Sequence, residues 1–225
     1  CDGDPMKPPR RGAVLKYVNR FSYATLDGGF STSPVTLKNE QELFFFISGT
    51  GKMTAGGKTV DLREGIFVMV PPNLAFTMTN TGREPLAMYL VAEPTPQGFR
   101  PNTDLFVRDE TTTPWTTSNA PWVNAYKDLI VPHDGIADLQ MVLTVELYPM
   151  TFAQPHSHVP GCEEVWVLLS GDGYVLLGKN VRKLSPGIAY LIPPNDKVPH
   201  ANFNVSEKPI KFFYFARFQD HTPRK

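Results

Sequence analysis

Short apolar runs separated by glycine and proline recur along the whole chain. Six of them have the length of a β-strand and are bounded by turn residues: 13–18, 21–25, 42–47, 139–147, 165–169 and 210–218. The segment 200–204 alternates polar and apolar residues, which predicts a further strand. No run approaches the roughly 20 apolar residues of a membrane-spanning helix. The pattern therefore predicts an all-β protein of many short strands.

The second half of the chain repeats the spacing of the first half. Eight residues recur 122 positions later: Glu42, Gly49, Gly51, Gly56, Gly65, Pro71, Pro72 and Asn73 match Glu164, Gly171, Gly173, Gly178, Gly187, Pro193, Pro194 and Asn195. After this turn the offset becomes 124, because Asn80 matches Asn204 and Pro85 matches Pro209. The chain is therefore predicted to contain two copies of one unit.

Composition and charge agree with two β domains and exclude one class of partner. The 22 Pro and 17 Gly residues favour turns and strands over long helices. A length of 225 residues is enough for each copy to bury its own core. Lys plus Arg and Asp plus Glu both number 22, so the formal net charge is zero. No electrostatic basis for nucleic-acid binding follows from this balance.

The residues that carry candidate chemistry lie mainly in the second copy. His156 and His158 are two positions apart, so on an extended strand both imidazoles leave the same face. Glu164 opens the next predicted strand, where its carboxylate would meet the two rings across a hairpin ladder. His200 begins the strand 200–204 after a proline turn. Three imidazoles and one carboxylate suit a divalent transition metal with open coordination positions.

These segments resemble the two conserved motifs of the cupin superfamily. The stretch 154–171 is similar to the first motif, G(X)5HXH(X)3–4E(X)6G, and 187–204 to the second, G(X)5PXG(X)2H(X)3N. Five residues separate His158 from Glu164 instead of three or four, so Glu163 competes for the ligand role. The second motif lacks its internal glycine and carries two extra residues before His200.

The resemblance implies two tandem double-stranded β-helix (jelly-roll) barrels of the bicupin type. We expect an N-terminal arm at 1–11, a barrel without metal ligands at 12–95, a linker at 96–120 and a metal-binding barrel at 121–225. In the first barrel Phe76 occupies the place of His200, and Ser33–Leu37, where the histidine pair should fall, contains no histidine. Because only Glu42 remains, this copy is predicted to pack an apolar core that includes Phe44, Phe46, Phe76 and Met78.

The second barrel is expected to bind one divalent transition metal, Fe, Mn, Cu, Ni or Zn, through His156, His158, Glu164 and His200. Glu163, Trp166 and Asn202 are further candidates for catalytic roles, Glu163 as an acid or base and the other two as pocket walls. Aromatic residues whose facing the sequence leaves open are weaker wall candidates: Tyr148, Phe152, Tyr190 and Tyr214.

The resemblance implies a metal-dependent oxidoreductase of the dioxygenase type that acts on a small oxygenated organic compound. Two alternatives stay open: a non-redox lyase, decarboxylase or isomerase, and a metal-binding or small-molecule-binding cupin without turnover. A non-redox enzyme needs a proton-transfer group beside the substrate, whereas an oxygenase can work without one. A homodimer built on exposed sheet edges or arms is plausible for the family.

The remaining histidines and the two cysteines receive structural interpretations. His133 and His221 lie in turn and tail sequence and are expected to be exposed. Cys162 is interpreted as a buried or loop thiol, with a functional thiol as the alternative. Cys1 is followed by a polar stretch, as in a mature lipoprotein, so a lipid anchor there is one hypothesis and a processed chain the other. The compartment, cytoplasmic or extracytoplasmic, stays open.

Overall fold

The computed structural model describes residues 3–117, 124–195 and 197–218. The described residues form two compact units, the first containing 3–4, 9–112 and 133–138 and the second containing 5–8, 113–117, 124–132, 139–195 and 197–218. Both units consist of antiparallel strands, and the helical structure within these ranges is a single 3-10 turn, Pro132–Asp134. No helix in the described parts of the chain is long and apolar enough to cross a membrane. Cys1 and His221 lie outside the described residues.

The first unit has two sheets built from eight strands: β1 Arg20–Leu26, β2 Glu40–Ser48, β3 Thr50–Ala55, β4 Lys58–Arg63, β5 Ile66–Val70, β6 Phe76–Asn80, β7 Leu86–Pro94 and β8 Phe106–Asp109. One sheet has the strand order β1-β7-β2-β5-β8 and the other has the order β4-β3-β6. An apolar cluster contains side chains from both sheets, among them Phe44, Phe46, Phe76 and Met78. These four are the residues that the sequence predicts for this core.

The second unit repeats the arrangement with ten strands: β9 Thr116–Thr117, β10 Asn124–Ile130, β11 Met141–Leu147, β12 Thr151–Phe152, β13 Glu163–Ser170, β14 Gly173–Leu177, β15 Asn180–Leu184, β16 Ala189–Ile192, β17 His200–Asn204 and β18 Ile210–Arg217. Its sheets have the orders β16-β13-β18-β11-β10-β9 and β12-β17-β14-β15. Trp166, Leu168 and Phe212 belong to its core cluster. Because each strand alternates its side chains between two faces, Trp166 and Leu168 fix the inward face of β13, which Glu164 shares.

The strand pairing confirms the internal repeat residue by residue. Glu42 pairs with Val70 as Glu164 pairs with Ile192. The bridge between Val35 and Phe76 corresponds to the bridge between His156 and His200. Both β2 and β13 carry an irregularity in register near their ends, and each is followed by a glycine with positive φ, Gly49 at 84° and Gly171 at 82°. The two units therefore share one fold, in agreement with the predicted tandem barrels.

Two predictions about the chain's segments need correction or comment. The predicted strand at 13–18 is wrong: the structure has no strand at these residues, and the first strand, β1, begins at Arg20. Val18 is nevertheless buried, so the apolar run reflects burial without pairing. Within the predicted linker, β8 pairs with β5 of the first unit, and β9 pairs with β10 of the second.

Candidate metal centre

Three imidazoles meet inside the second unit. The backbone of His156 exchanges two hydrogen bonds with that of His200, N to O at 3.2 Å and 2.9 Å, which fixes the first histidine beside β17. The ring centroids of His156 and His158 lie 4.9 Å apart, and both rings are close to that of His200, at 4.3 Å and 5.1 Å. One ring nitrogen from each residue lies within 4.8 Å of the others. The histidine pair lies between β12 and β13, outside any regular strand. A single bridge from His156 to β17 takes the place of the extended strand that the sequence predicted.

Glu164 reaches the same point from the other sheet of the unit. Its Oε1 lies 3.0 Å from Nε2 of His158, and its Oε2 lies 3.4 Å from Nε2 of His200. The sequence predicted that this carboxylate would meet the rings across a hairpin ladder, and this prediction is wrong. β13 and β17 belong to different sheets, so the acid and the imidazoles face each other across the interior of the unit.

Two aromatic side chains hold the carboxylate in place. Tyr214 Oη donates a hydrogen bond of 2.7 Å to Oε1 of Glu164, and Trp166 Nε1 donates one of 3.2 Å to Oε2. The Trp166 and Tyr214 rings also contact each other, with centroids 4.3 Å apart. Each carboxylate oxygen thus accepts one hydrogen bond from a fixed donor and keeps a further lone pair free for another partner. The sequence placed Trp166 on the face of Glu164, but it left the facing of Tyr214 open.

The electrostatics of the group favour an ionised acid beside the imidazoles. Burial alone raises the pKa of Glu164, but the imidazoles of His158 and His200 outweigh it and hold that pKa below its ordinary range. Burial lowers the pKa of His156, and the carbonyl oxygen of Gln154 opposes this effect. Because a carbonyl only accepts, its 2.8 Å contact with Nδ1 assigns the ring proton to Nδ1 and leaves a lone pair on Nε2.

The donor set fits a metal ion better than it fits a hydrogen-bonded cluster. Nε2 of His158 and Nε2 of His200 lie within 3.4 Å of carboxylate oxygens, yet neither satisfies the geometry of a hydrogen bond. His200 is 1% exposed, and its two ring nitrogens have no hydrogen-bond partner among the described residues. A buried polar group without a partner costs roughly 1–3 kcal/mol. A divalent cation that accepts these lone pairs removes that cost, and neutral imidazoles with one carboxylate are ligands that transition metals prefer.

The two other predicted site residues, Asn202 and Glu163, occupy different environments. Asn202 lies on the buried side of β17, and its Oδ1 accepts a 2.5 Å hydrogen bond from Tyr190 Oη. Burial raises the pKa of Tyr190 well above its usual value, so the phenol stays protonated. Glu163 is buried but sits on the opposite face of β13 from Glu164, paired in register with Arg217. The structure therefore does not bring Glu163 to the imidazoles.

Of the aromatic residues named as weaker wall candidates, some lie beside the centre and others do not. Tyr190 and Tyr214 stand beside the centre, whereas Phe152 is 57% exposed and stacks on Phe203, so its assignment as a pocket wall is wrong. Tyr148 is half-buried, and its backbone carbonyl accepts hydrogen bonds from Thr151 and Asn204. His133 is exposed, as predicted.

Cys162 is a buried thiol at the border of the centre. A sulfur, nitrogen or oxygen atom from each of Cys162, His158 and Glu164 lies within 4.8 Å of the others. Burial raises the pKa of the Cys162 thiol, and the carboxylates of Glu164 and Glu163 add to this effect. The residue is therefore a protonated, buried thiol, which agrees with its structural interpretation.

The corresponding place in the first unit has lost the chemistry of a metal site. The residues at the four ligand positions are Val35, Leu37, Glu42 and Phe76; Phe76 belongs to the core cluster, and Val35 and Leu37 pack against it. Glu42 instead forms an ion pair of 2.7 Å with Arg20. A guanidinium therefore supplies the positive charge beside the remaining carboxylate. The sequence did not predict Arg20, because nothing in the spacing of β1 links it to Glu42.

The chain is similar to one protein family and to several solved structures. The sequence model of a family described as "Cupin domain" matches residues 22–92 and 143–216, one segment in each unit. No curated protein matches. Protein YlbA from E. coli shares the fold with a TM-score of 0.70 at 16% identity, covering 94% of this chain and 88% of that one. AerE from Microcystis aeruginosa has a TM-score of 0.70 at 14% identity, covering 88% and 87%.

A solved oxygenase also shares the fold. Salicylate 1,2-dioxygenase from Pseudaminobacter salicylatoxidans has a TM-score of 0.69 at 15% identity, covering 88% of this chain and 70% of that chain. At such identities the likeness extends to the fold alone.

Proposed function

The chain belongs to the cupin domain family, and we propose that it is a metal-dependent oxidoreductase of the dioxygenase type acting on a small oxygenated organic compound. The observation that carries the proposal is the convergence of three imidazoles, that of His200 buried, and one ionised carboxylate on one point of the second unit. His156, His158, Glu164 and His200 are the proposed ligands of one divalent ion: Fe, Mn, Cu, Ni or Zn. When bound, such an ion supplies Lewis-acid and one-electron chemistry toward oxygen-containing molecules.

The protein's own groups prepare this centre before any ligand arrives. Tyr214 and Trp166 fix the two oxygens of Glu164, and the Gln154 carbonyl fixes the tautomer of His156. Such outer hydrogen bonds orient ligands and raise their basicity. With three neutral imidazoles and one carboxylate, the centre would leave a divalent ion with a net charge of about +1. That charge favours binding of an anionic or easily ionised oxygen of the substrate.

The position of Glu163 supports oxidoreductase chemistry over the non-redox alternative. A lyase or isomerase needs an acid or base within hydrogen-bond reach of its substrate. Glu163 was the acid that the sequence offered for this task, and it lies on the other face of β13. The proteins of the same fold include one named as a dioxygenase, and the proposal extends that type of chemistry to this chain.

The test is metal analysis of the full chain purified without added metal, combined with dioxygen-uptake measurements. We expect close to one Fe or Cu per chain, lost in each of the variants His156→Ala, His158→Ala and His200→Ala. Phe76→Leu is the matched control, because it changes the equivalent position of the first unit and should keep the metal. Zn or Mn without dioxygen uptake would favour a non-redox enzyme, and metal without turnover would indicate a binding protein. A metal content that the histidine changes leave intact would refute the proposed centre.

A further inference from the structure

The strand β1 stands at the edge of the larger sheet of the first unit. Among the described strands its single neighbour is β7, with which it pairs along its full length, from Arg20 to Leu26. None of its seven residues is buried, and Tyr23 at its centre is 60% exposed. The outer side of an edge strand presents backbone N–H and C=O groups that can pair with a further strand.

The internal repeat shows what this edge can accept, because β11 occupies the place of β1 in the second unit. Arg20 pairs with Ala92 as Met141 pairs with Ala216, and the two alanines are separated by the offset of the repeat, 124 positions. Both strands have seven residues. On its other side β11 pairs antiparallel with β10 over 142–147, and five of its seven residues are buried. An antiparallel strand therefore fits this position of the fold.

The chain before β1 does not supply such a strand. In the second unit β10 precedes β11 in the sequence, whereas residues 3–19, which precede β1, contain no strand. The difference in burial between β11 and β1 follows from this difference in pairing. The first unit thus has a strand position that no described part of its own chain fills.

The other described sheet edges are protected in ways that β1 is not. Four edge strands, β8, β9, β12 and β16, have only two to four residues. The edge strands β4 and β15 carry charged side chains: Lys58, Asp61, Arg63, Arg182 and Lys183. Ser31 and Val35 form bridges to the edge strand β6. Short length, charge and cover prevent pairing with another chain, but β1 is longer than all of these strands and its one charged residue, Arg20, stands at its end.

The sequence of β1 suits pairing with a second copy of itself. A two-fold axis between two antiparallel strands places one residue directly opposite its own copy. The register that joins all seven residues of both strands centres on Tyr23, and it places Arg20 opposite Leu26 of the second copy. The two exposed Tyr23 rings then form a cross-strand aromatic pair, which is a stabilising contact in a sheet.

We propose that the chain forms a homodimer in which the β1 strands of two copies pair antiparallel about Tyr23. The second copy's β1 then takes the place that β10 has beside β11, and the two sheets join into one continuous sheet. This interface goes beyond the proposed function and does not depend on the metal centre.

The test measures the mass of the full chain in solution by sedimentation velocity over a series of concentrations. We expect the wild-type chain to be a dimer. Tyr23→Lys places two like charges directly opposite each other and should raise the Kd of the dimer about tenfold. Val181→Lys is the matched control, because Val181 is 63% exposed on the edge strand β15, and it should leave the dimer intact. A mixture of Tyr23→Lys and Tyr23→Glu chains should associate again, because opposite charges then face each other.

A disulfide experiment tests the register and decides the question if Tyr23→Lys does not fold. The background is Cys1→Ser, in which the remaining thiol, Cys162, is buried. Tyr23→Cys should form a disulfide between two chains under mild oxidation, since Cβ atoms directly opposite each other lie roughly 4.5–5.5 Å apart. Thr25→Cys should not, because Thr25 faces Phe21 of the second copy in this register.

Four results would overturn the inference. The wild-type chain stays monomeric, or Tyr23→Lys leaves the dimer unchanged, or Val181→Lys dissociates it equally. The fourth is a disulfide that fails to form at position 23 or forms as readily at position 25.

Discussion

Removal of one hydroxyl group next to the carboxylate should weaken metal binding without removing a ligand. Tyr214→Phe deletes the 2.7 Å hydrogen bond to Oε1 of Glu164 and keeps the ring that packs against Trp166. A hydrogen bond to a charged group contributes about 1.5–3 kcal/mol. Because Trp166 still donates to the other oxygen, we expect a loss near the lower limit, about tenfold in affinity.

The assay is competition for Zn²⁺ or Co²⁺ between the purified protein and a chelating dye, with thermal melting as a check of folding. Tyr190→Phe is the matched control, since it removes a hydroxyl that bonds to Asn202 instead of to Glu164. The reasoning is refuted if Tyr214→Phe binds metal as tightly as the wild-type protein, or if Tyr190→Phe weakens binding as much as Tyr214→Phe does.

Two further predictions concern the stability of the first unit. Burial raises the pKa of Glu42, and Arg20 partly offsets that rise. Arg20→Met should therefore destabilise the fold by about 1–2 kcal/mol in urea unfolding, a value reduced for the 45% exposure of the arginine. Adding Glu42→Gln should recover most of this loss, and no recovery would contradict the pairing. Gly49→Ala should lower the free energy of unfolding by roughly 1–3 kcal/mol, because φ is 84° and a Cβ atom would lie 2.7 Å from Cα of Leu86. Gly178→Ala, with φ of 64° and open space around the Cβ position, should lower it by about 1 kcal/mol. Equal losses would contradict the steric explanation.

The sequence alone predicted the repeat and the residues of the candidate centre because both are encoded at fixed spacing. Glu42 and Glu164 occupy the same position of equivalent strands, and Phe76 stands where His200 does. Alternation along β13 also placed Trp166 on the face of Glu164. Local periodicity fixes which face of a strand a residue takes, so these inferences did not depend on how the sheets close.

Contacts between the two sheets of a unit could not be predicted from the order of residues along the chain. Glu164 meets the imidazoles across the interior of the unit, and the hairpin arrangement predicted from chain order was wrong. The choice between Glu163 and Glu164 likewise needed the facing of β13, since adjacent acids differ only in the side of the sheet to which they point.

The sequence by itself determined a duplicated β fold, a histidine-rich group in the later copy and an apolar replacement in the earlier one. Only the tertiary structure decided that Tyr214 supports Glu164 and that Arg20 pairs with Glu42. The physical reason is that spacing along a strand is a local property of the backbone. The partner of a buried polar atom is set instead by the distance between strands far apart in sequence, which exists only after the sheets have packed.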